Sequence, residues 1–200
     1  IKYFGNIKFC SSINQVNKEE IDQVNLESKK VWCALSTHPK EEELCAKVHQ
    51  ILKKTYKDLV TIIIPRHIHR TEKIKINLKK MGLTVQVKNQ NNKIDESCEI
   101  ILVNYYGSVL KYLSKFKQVF IGKSLLKKLE KDGGQNPIDA AKMGCYIFHG
   151  PYVSNFQEIY EYLDSKKISE KIENYNRLAE RLNRNLKSNN EQSKLQEDRF

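Results

Sequence analysis

Cysteine pairs at C-x-x-C spacing are missing from this 200-residue sequence. Its cysteines, Cys10, Cys33, Cys45, Cys98 and Cys145, are odd in number and scattered, so there is no thiol motif to interpret. Several lie in apolar, strand-like contexts, where Cys behaves as a small buried hydrophobe. The expectation is reduced thiols in a cytoplasmic protein. No apolar run approaches the roughly 20 residues of a membrane-spanning helix. No basic-then-apolar leader is present either. The chain opens Ile1-Lys2-Tyr3-Phe4-Gly5 without Met, as an excised fragment would. Internal repeats are absent. The one glycine-rich turn is neither a Walker loop nor G-x-G-x-x-G, which argues against an ATPase and against a simple NAD domain.

What is present in excess is positive charge. The formal net charge is +11 and the isoelectric point about 9.3. Nucleic acid, an anionic membrane face or a polyanionic small molecule would each fit. A Lys- and Asn-rich composition also follows from an AT-rich genome, so charge alone selects no partner. The basic residues are scattered rather than interleaved with aromatics, and no nucleic-acid motif is recognised.

Apolar patterning is more informative. Strands are expected at Val31–Leu35, Val60–Ile64, Thr84–Val87, Glu99–Val103, Gln118–Ile121 and Cys145–Phe148. Runs such as Thr61-Ile62-Ile63-Ile64 lack polar alternation and suit strands covered on both faces. Helical spacing falls between them. Glu41–Tyr56 carries a stripe of Leu44, Val48, Ile51 and Leu52, Thr71–Met81 and Gly107–Phe116 are shorter, and Ser154–Leu163 carries Phe156, Ile159, Tyr160 and Leu163. Alternating strands and helices predict an α/β fold: a Rossmann-like, doubly wound, mostly parallel sheet. Residues 1–30 read as a connector and 31–165 as the domain. A charged helix over 166–187 carries Ile172, Tyr175, Leu178, Leu182 and Leu186 on one side. Residues 188–200 are so polar that disorder is expected.

Doubly wound sheets bind ligands beyond the carboxyl ends of their strands, which directs attention to the loops there. Ser36-Thr37-His38 follows the first strand; a hydroxyl there caps the next helix or meets a ligand. Glu41 and Glu42 then suit the first turn of that helix. The second strand ends in Pro65-Arg66-His67-Ile68-His69-Arg70. This is a solvated basic turn, or one whose Arg forks match phosphate and carboxylate. No third ligand accompanies the two His, so no metal is expected. Asn104-Tyr105-Tyr106-Gly107-Ser108 offers a ring to stack on a base and a hydroxyl, or merely packs a loop against a helix. The strongest segment is Gly133-Gly134-Gln135-Asn136-Pro137-Ile138-Asp139. Paired glycines allow positive φ and close backbone approach, and Asn136-Pro137 suits a helix start. Such a turn feeding a helix N-terminus is a ready anion site. Gly150-Pro151 turns the chain, and Ser154 caps the next helix or, with its neighbours, meets a ligand.

Together these segments resemble the C-terminal half of bacterial 3-deoxy-D-manno-octulosonic acid (Kdo) transferases. Gly5-Asn6-Ile7-Lys8-Phe9 is similar to the family's Gly-Asn-Leu-Lys-Phe. Ser36-Thr37-His38 with Glu41 and Glu42, Pro65-Arg66-His67, Gly133-Gly134-Gln135-Asn136-Pro137-Ile138-Asp139, and Gly150-Pro151 with Asn155-Phe156 resemble its other motifs, in order, across residues 1–165. Two positions depart. Asn104-Tyr105-Tyr106-Gly107-Ser108-Val109 keeps only the glycine of Asp-Thr-Met-Gly-Glu-Leu, and Asp139 stands for the usual Glu. The resemblance implies the C-terminal domain of a GT-B glycosyltransferase. The implied donor is CMP-Kdo and the acceptor a lipid A precursor. It also implies the cytoplasmic face of the inner membrane, an anionic surface, inversion at the anomeric carbon, and neither metal nor cofactor. The general base is expected in the other half, so this chain should bind donor without transferring sugar. The donor-binding set is Ser36, Thr37, Arg66, Tyr106, Gly107, Ser108, Gly133, Gly134, Gln135, Asn136 and Asp139. Arg70 and Lys123 are further candidates for the sugar carboxylate. The rival expectations are another GT-B sugar-nucleotide enzyme, a UDP-sugar transferase or epimerase, and a basic non-catalytic nucleic-acid-binding module.

Overall fold

Lys30–Thr37 (β1) and Leu59–Pro65 (β2) form the centre of the sheet and are buried along almost their whole length. A computed structural model describes residues 26, 28–107 and 109–197 of the chain. Alternation along these strands sends side chains to opposite faces. Trp32, Ala34, Leu59 and Ile63 enter one core, and Cys33, Leu35, Val60, Ile62 and Ile64 enter the other. A strand with two apolar faces needs helices on both sides of the sheet, and the chain supplies them.

The other strands are Val85–Lys88 (β3), Ile100–Val103 (β4), Gln118–Ile121 (β5), Tyr146–His149 (β6) and Ser169–Lys171 (β7). The sheet runs in the order β3-β4-β2-β1-β5-β6-β7, with every neighbouring pair parallel. The first six strands lie within a residue or two of the expected ones. The seventh, Ser-Glu-Lys, carries no apolar signal and is recognisable only from its pairing with β6.

Helices Glu41–Lys53 (α1), Thr71–Lys80 (α2) and Tyr175–Glu197 (α6) cover one face of the sheet. Val109–Lys115 (α3), Ile138–Lys142 (α4) and Gln157–Ser165 (α5) cover the other. In α1 the buried stripe is Cys45, Val48, His49 and Leu52, while Ile51 of the expected stripe is 37% exposed. In α5 the buried stripe is Ile159, Tyr160 and Leu163, as patterned.

The charged C-terminal helix differs from expectation at both ends. It starts at Tyr175, because 169–171 is strand, and continues to Glu197 through residues expected to be disordered. Once a helix is nucleated, each added residue gains a hydrogen bond for the one residue it fixes, so polar residues extend it. Its apolar side packs within this domain. Leu178, Ala179, Leu182 and Leu186 are buried in the core shared with α1. The Tyr56 hydroxyl donates to the Asn183 carbonyl (3.1 Å) and side-chain oxygen (2.9 Å) across the same contact. Residues 1–25 of the expected connector, with Gly5-Asn6-Ile7-Lys8-Phe9, lie outside the described residues, as do Ser108 and 198–200. Cys33, Cys45, Cys98 and Cys145 are free thiols. No helix among the described residues is long and apolar enough to cross a membrane.

If α6 belongs to the domain core, Leu182→Ala should cost about 2–5 kcal/mol, the range for truncating a buried Leu. A fall in the guanidinium midpoint measures it, and an unchanged midpoint would mean that the helix is an appendage.

Candidate functional site

Strand order reverses direction between β1 and β5, because β1 is followed on one side by β2 and on the other by β5. At this switch point the loops leaving the two strands part and open a crevice. β1 ends irregularly. Its register with β2 shifts between Leu35 and Thr37, and Ser36 sits at φ +52°. The neighbouring ends are then stitched to it. Gly122 N–H donates to the Leu35 carbonyl (2.8 Å), and Arg66 N–H to the Thr37 carbonyl (3.1 Å).

The strongest stitch is Glu41, fully buried in the first turn of α1. Its Oε2 accepts the N–H groups of His38 (2.9 Å) and Lys123 (2.7 Å). Oε1 accepts those of Ser124 (3.0 Å) and Leu125 (3.2 Å). One carboxylate thus ties the loop after β1 to the loop after β5. Glu42 does the same towards β2. Its carboxylate takes a two-pronged pair from Arg70, at 3.0 and 3.1 Å, and the Thr37 hydroxyl at 3.0 Å. Burial raises the Glu42 pKa, with Arg70 opposing the shift. Residues read from sequence as helix-dipole acids are therefore structural clamps. Neither Ser36 nor Thr37 caps α1, whose cap position is Lys40 with no side-chain cap.

The crevice has a volume of about 330 Å³. Its polar wall is Ser36, Arg66, Gln135, Asn136 and Asp139, and its apolar wall includes Leu35, Val109, Leu113, Ile121 and Phe156. Five of the residues singled out from sequence therefore meet around one space, although they come from three separate stretches of the chain.

The others do not reach it. Thr37 is fully buried with its hydroxyl directed at Glu42, so it belongs to the frame. Gly133 and Gly134 make their close approach to the chain itself. A Cβ on Gly133 would meet the Tyr152 carbonyl oxygen at 2.2 Å. Gly134, at φ +93°, donates its N–H to the Lys123 carbonyl (2.6 Å), so that N–H is not available to an anion. α4 has only five residues and so contributes little dipole. Its first N–H, of Ile138, is taken by Asn136 Oδ1 at 3.0 Å. Tyr106 (72% exposed) and Gly107 (φ +78°) project from the loop after β4 and do not line the crevice; Ser108 lies outside the described residues. Arg70 is held by Glu42, and Lys123 pairs with Asp132 at 3.2 Å. The apolar wall from α3 was missed in sequence, since nothing in Val109 or Leu113 distinguishes a crevice wall from core.

Beside the crevice stand three imidazoles. The His38 and His67 rings are 5.6 Å apart, edge to face, and His67 and His69 are likewise 5.6 Å apart. Burial, followed by the charge of Lys123 and its basic neighbours, lowers the His38 pKa to about 4. His49, buried in α1 with Nδ1 2.9 Å from the Thr61 hydroxyl, is lowered to about 4 mainly by burial. Among the described residues no group of His, Cys, Asp and Glu is arranged to hold a metal ion.

The fold is a Rossmann-like α/β domain with its crevice at the switch point. No protein-family model matches the chain. It is 32% identical over 188 residues to the 3-deoxy-D-manno-octulosonic acid transferase of Rickettsia conorii, covering 93% of this chain and 39% of that protein. It is also 32% identical over 165 residues to a probable mitochondrial 3-deoxy-D-manno-octulosonic acid transferase of Arabidopsis thaliana, covering 80% of the chain and 36% of that protein. Among solved structures it resembles the C-terminal CMP-Kdo binding domain of WaaA from Acinetobacter baumannii, with a TM-score of 0.74 and 21% identity, over 82% of this chain and 83% of that one. These matches identify the chain as a member of the Kdo transferase family, homologous to one stretch of its relatives. It spans about two-fifths of the length of the first of them.

Two outcomes are expected. Replacing Glu41 with Ala leaves four N–H groups facing no acceptor and should cost about 3 kcal/mol or more, read as a lowered unfolding midpoint. Folded-state pKa values depressed from 6.5 to about 4 at His38 and His49 mean that the unfolded chain binds more protons between them. Their contribution is present above pH 6.5 and is lost as pH falls through 4. Urea titrations should show stability dropping across that window, less steeply in a His38→Gln/His49→Gln protein.

Proposed function

We propose that this chain is the donor-binding half of a GT-B glycosyltransferase that moves Kdo from CMP-Kdo to a lipid A precursor. The carrying observation is the convergence of Arg66, Ser36, Gln135, Asn136 and Asp139 on one crevice at the switch point. The names of the relatives supply the sugar, and the CMP-Kdo binding domain from Acinetobacter supplies the nucleotide.

Departure of CMP leaves negative charge on its phosphate, so catalysis needs donors fixed there in advance. Arg66 fits. Its backbone is tied to Thr37, it lines the crevice, and it has no ion pair among the described residues. Ser36 adds a hydroxyl, and Asn136 and Asp139 suit ribose or sugar hydroxyls. Lys123 is available to the sugar carboxylate only if Asp132, itself 67% exposed, releases it. The acceptor hydroxyl must lose a proton as it attacks. A general base from the remainder of the enzyme takes it, and attack opposite CMP inverts the anomeric centre. This chain alone binds donor without turnover. The full enzyme acts at the cytoplasmic face of the inner membrane, where anionic lipid favours a chain of net charge +11.

Calorimetry with CMP tests the assignment. Arg66→Ala should weaken CMP at least tenfold, the effect of losing a charge-assisted hydrogen bond of about 1.5–3 kcal/mol. Equal affinity in parent and variant, or UDP binding as tightly as CMP, would overturn it.

A further inference from the structure

A second concavity lies at the opposite end of the sheet. It is formed where β1 begins, where α3 turns into β5, and along α6. Lys30 opens β1 and Thr37 closes it, so this concavity is about 23 Å from the crevice at 3.3 Å per strand residue. Its volume is about 470 Å³. Lys29, Lys30 and Lys115 converge on it, all half-buried, and none has an ion pair among the described residues. Among the described residues no Asp or Glu lines it. Lys117 stands at the same rim, with its ammonium held by the carbonyls of Leu113 (3.1 Å) and Met143 (2.7 Å). The floor is apolar, made of Leu26, Phe116 and Leu186.

Lysine side chains gathered around one concavity repel one another unless an anion sits among them. Three cations exceed what one carboxylate neutralises and suit a phosphate monoester, which Lys binds as a point charge. The floor beneath offers nothing to the rest of a sugar or nucleotide, but it accepts hydrocarbon. We infer that this concavity is a second binding site, distinct from the donor crevice, for a phosphate monoester attached to an apolar chain. The inference stands independently of the donor assignment.

Octyl phosphate, kept below its micelle concentration, is the probe. Amide NMR shifts in the full chain locate it and calorimetry measures it. The expected shifts fall on Lys30, Phe116 and Gln118, with affinity at least tenfold above that for inorganic phosphate, octanoate or octyl glucoside. Lys30→Glu/Lys115→Glu should weaken octyl phosphate tenfold or more. Phe116→Ala should weaken octyl phosphate but leave inorganic phosphate unchanged. Arg66→Ala should leave octyl phosphate unchanged, and the two lysine changes should leave CMP unchanged. Shifts centred on Ser36 and Asn136, or competition with CMP, would mean that the probe occupies the crevice and would overturn the inference. So would octanoate or inorganic phosphate binding as tightly as octyl phosphate, or no binding at all. If the double variant fails to fold, the shift map of the parent protein still decides the location.

Discussion

The crevice depends on one buried carboxylate. Parallel strands leave a doubly wound sheet in opposite lateral directions at its switch point, so no ladder holds the two departing loops together there. Glu41 supplies the missing connection, accepting N–H groups from both loops. The geometry admits no bulk beside it. A Cβ on Gly122 would lie 2.7 Å from the Thr37 Cα and 2.8 Å from Glu41 Oε2. Lys123, next along, takes φ +57°, a conformation that costs a non-glycine residue free energy and persists only where the surroundings fix it. Its N–H is bound by Glu41, its carbonyl by Gly134 and its ammonium by Asp132.

Around this clamp the basic residues divide into two kinds. Arg70 and Lys123 are held by Glu42 and Asp132, while Arg66 faces the crevice with no such partner among the described residues. A buried two-pronged pair like Arg70–Glu42 adds little net stability against its desolvation cost, but it fixes direction. What it fixes is the loop of β2 against α1, with Thr37 between them, and that loop carries Arg66. The imidazole cluster adds a second constraint. Because burial and nearby cations keep His38 neutral at ordinary pH, the rim of the crevice owes its charge mainly to arginine and lysine.

Sequence revealed the sheet better than the site, for a physical reason. Strands buried on both faces are written as unbroken apolar runs, as in Thr61-Ile62-Ile63-Ile64, and six of the seven strands were recognisable from short stretches rich in apolar residues. β7 was not, because an edge strand as short as Ser169–Lys171 is defined by its hydrogen bonds to β6 rather than by its own side chains. The loops around the crevice were legible through position: polar residues directly after apolar runs mark strand ends, and Ser36 and Arg66, which line the crevice, stand in such places, while Asn136, which also lines it, follows the glycine-rich turn. Sequence could not distinguish side chains that face the crevice from those that face the protein. Thr37 and Ser36 are adjacent hydroxyls, yet a register shift at the strand end buries one and turns the other into the crevice. Glu41 and Glu42 match the pattern of a solvated first turn and are nearly inaccessible. Ile51 matched an apolar stripe whose buried member is His49 instead.

The glycine-rich turn shows how far a motif's usual physics carries. Adjacent glycines before a helix suggest backbone N–H groups reserved for an anion. Here the turn is pinned from within. Gly134 donates to Lys123, the Gly133 carbonyl accepts Asn155 N–H (3.0 Å), the Asp132 carbonyl accepts the Asn155 side chain (2.6 Å), and the Gln135 carbonyl accepts the Tyr160 hydroxyl (2.8 Å). Absence of side chains at 133 and 134 lets the turn pass under Tyr152 and Val153, so the loops after β5 and β6 lock together. A turn locked on both flanks presents the next residues at fixed positions. The side chains that this turn brings to the crevice are therefore those of Gln135, Asn136 and Asp139, with the glycines setting where they stand.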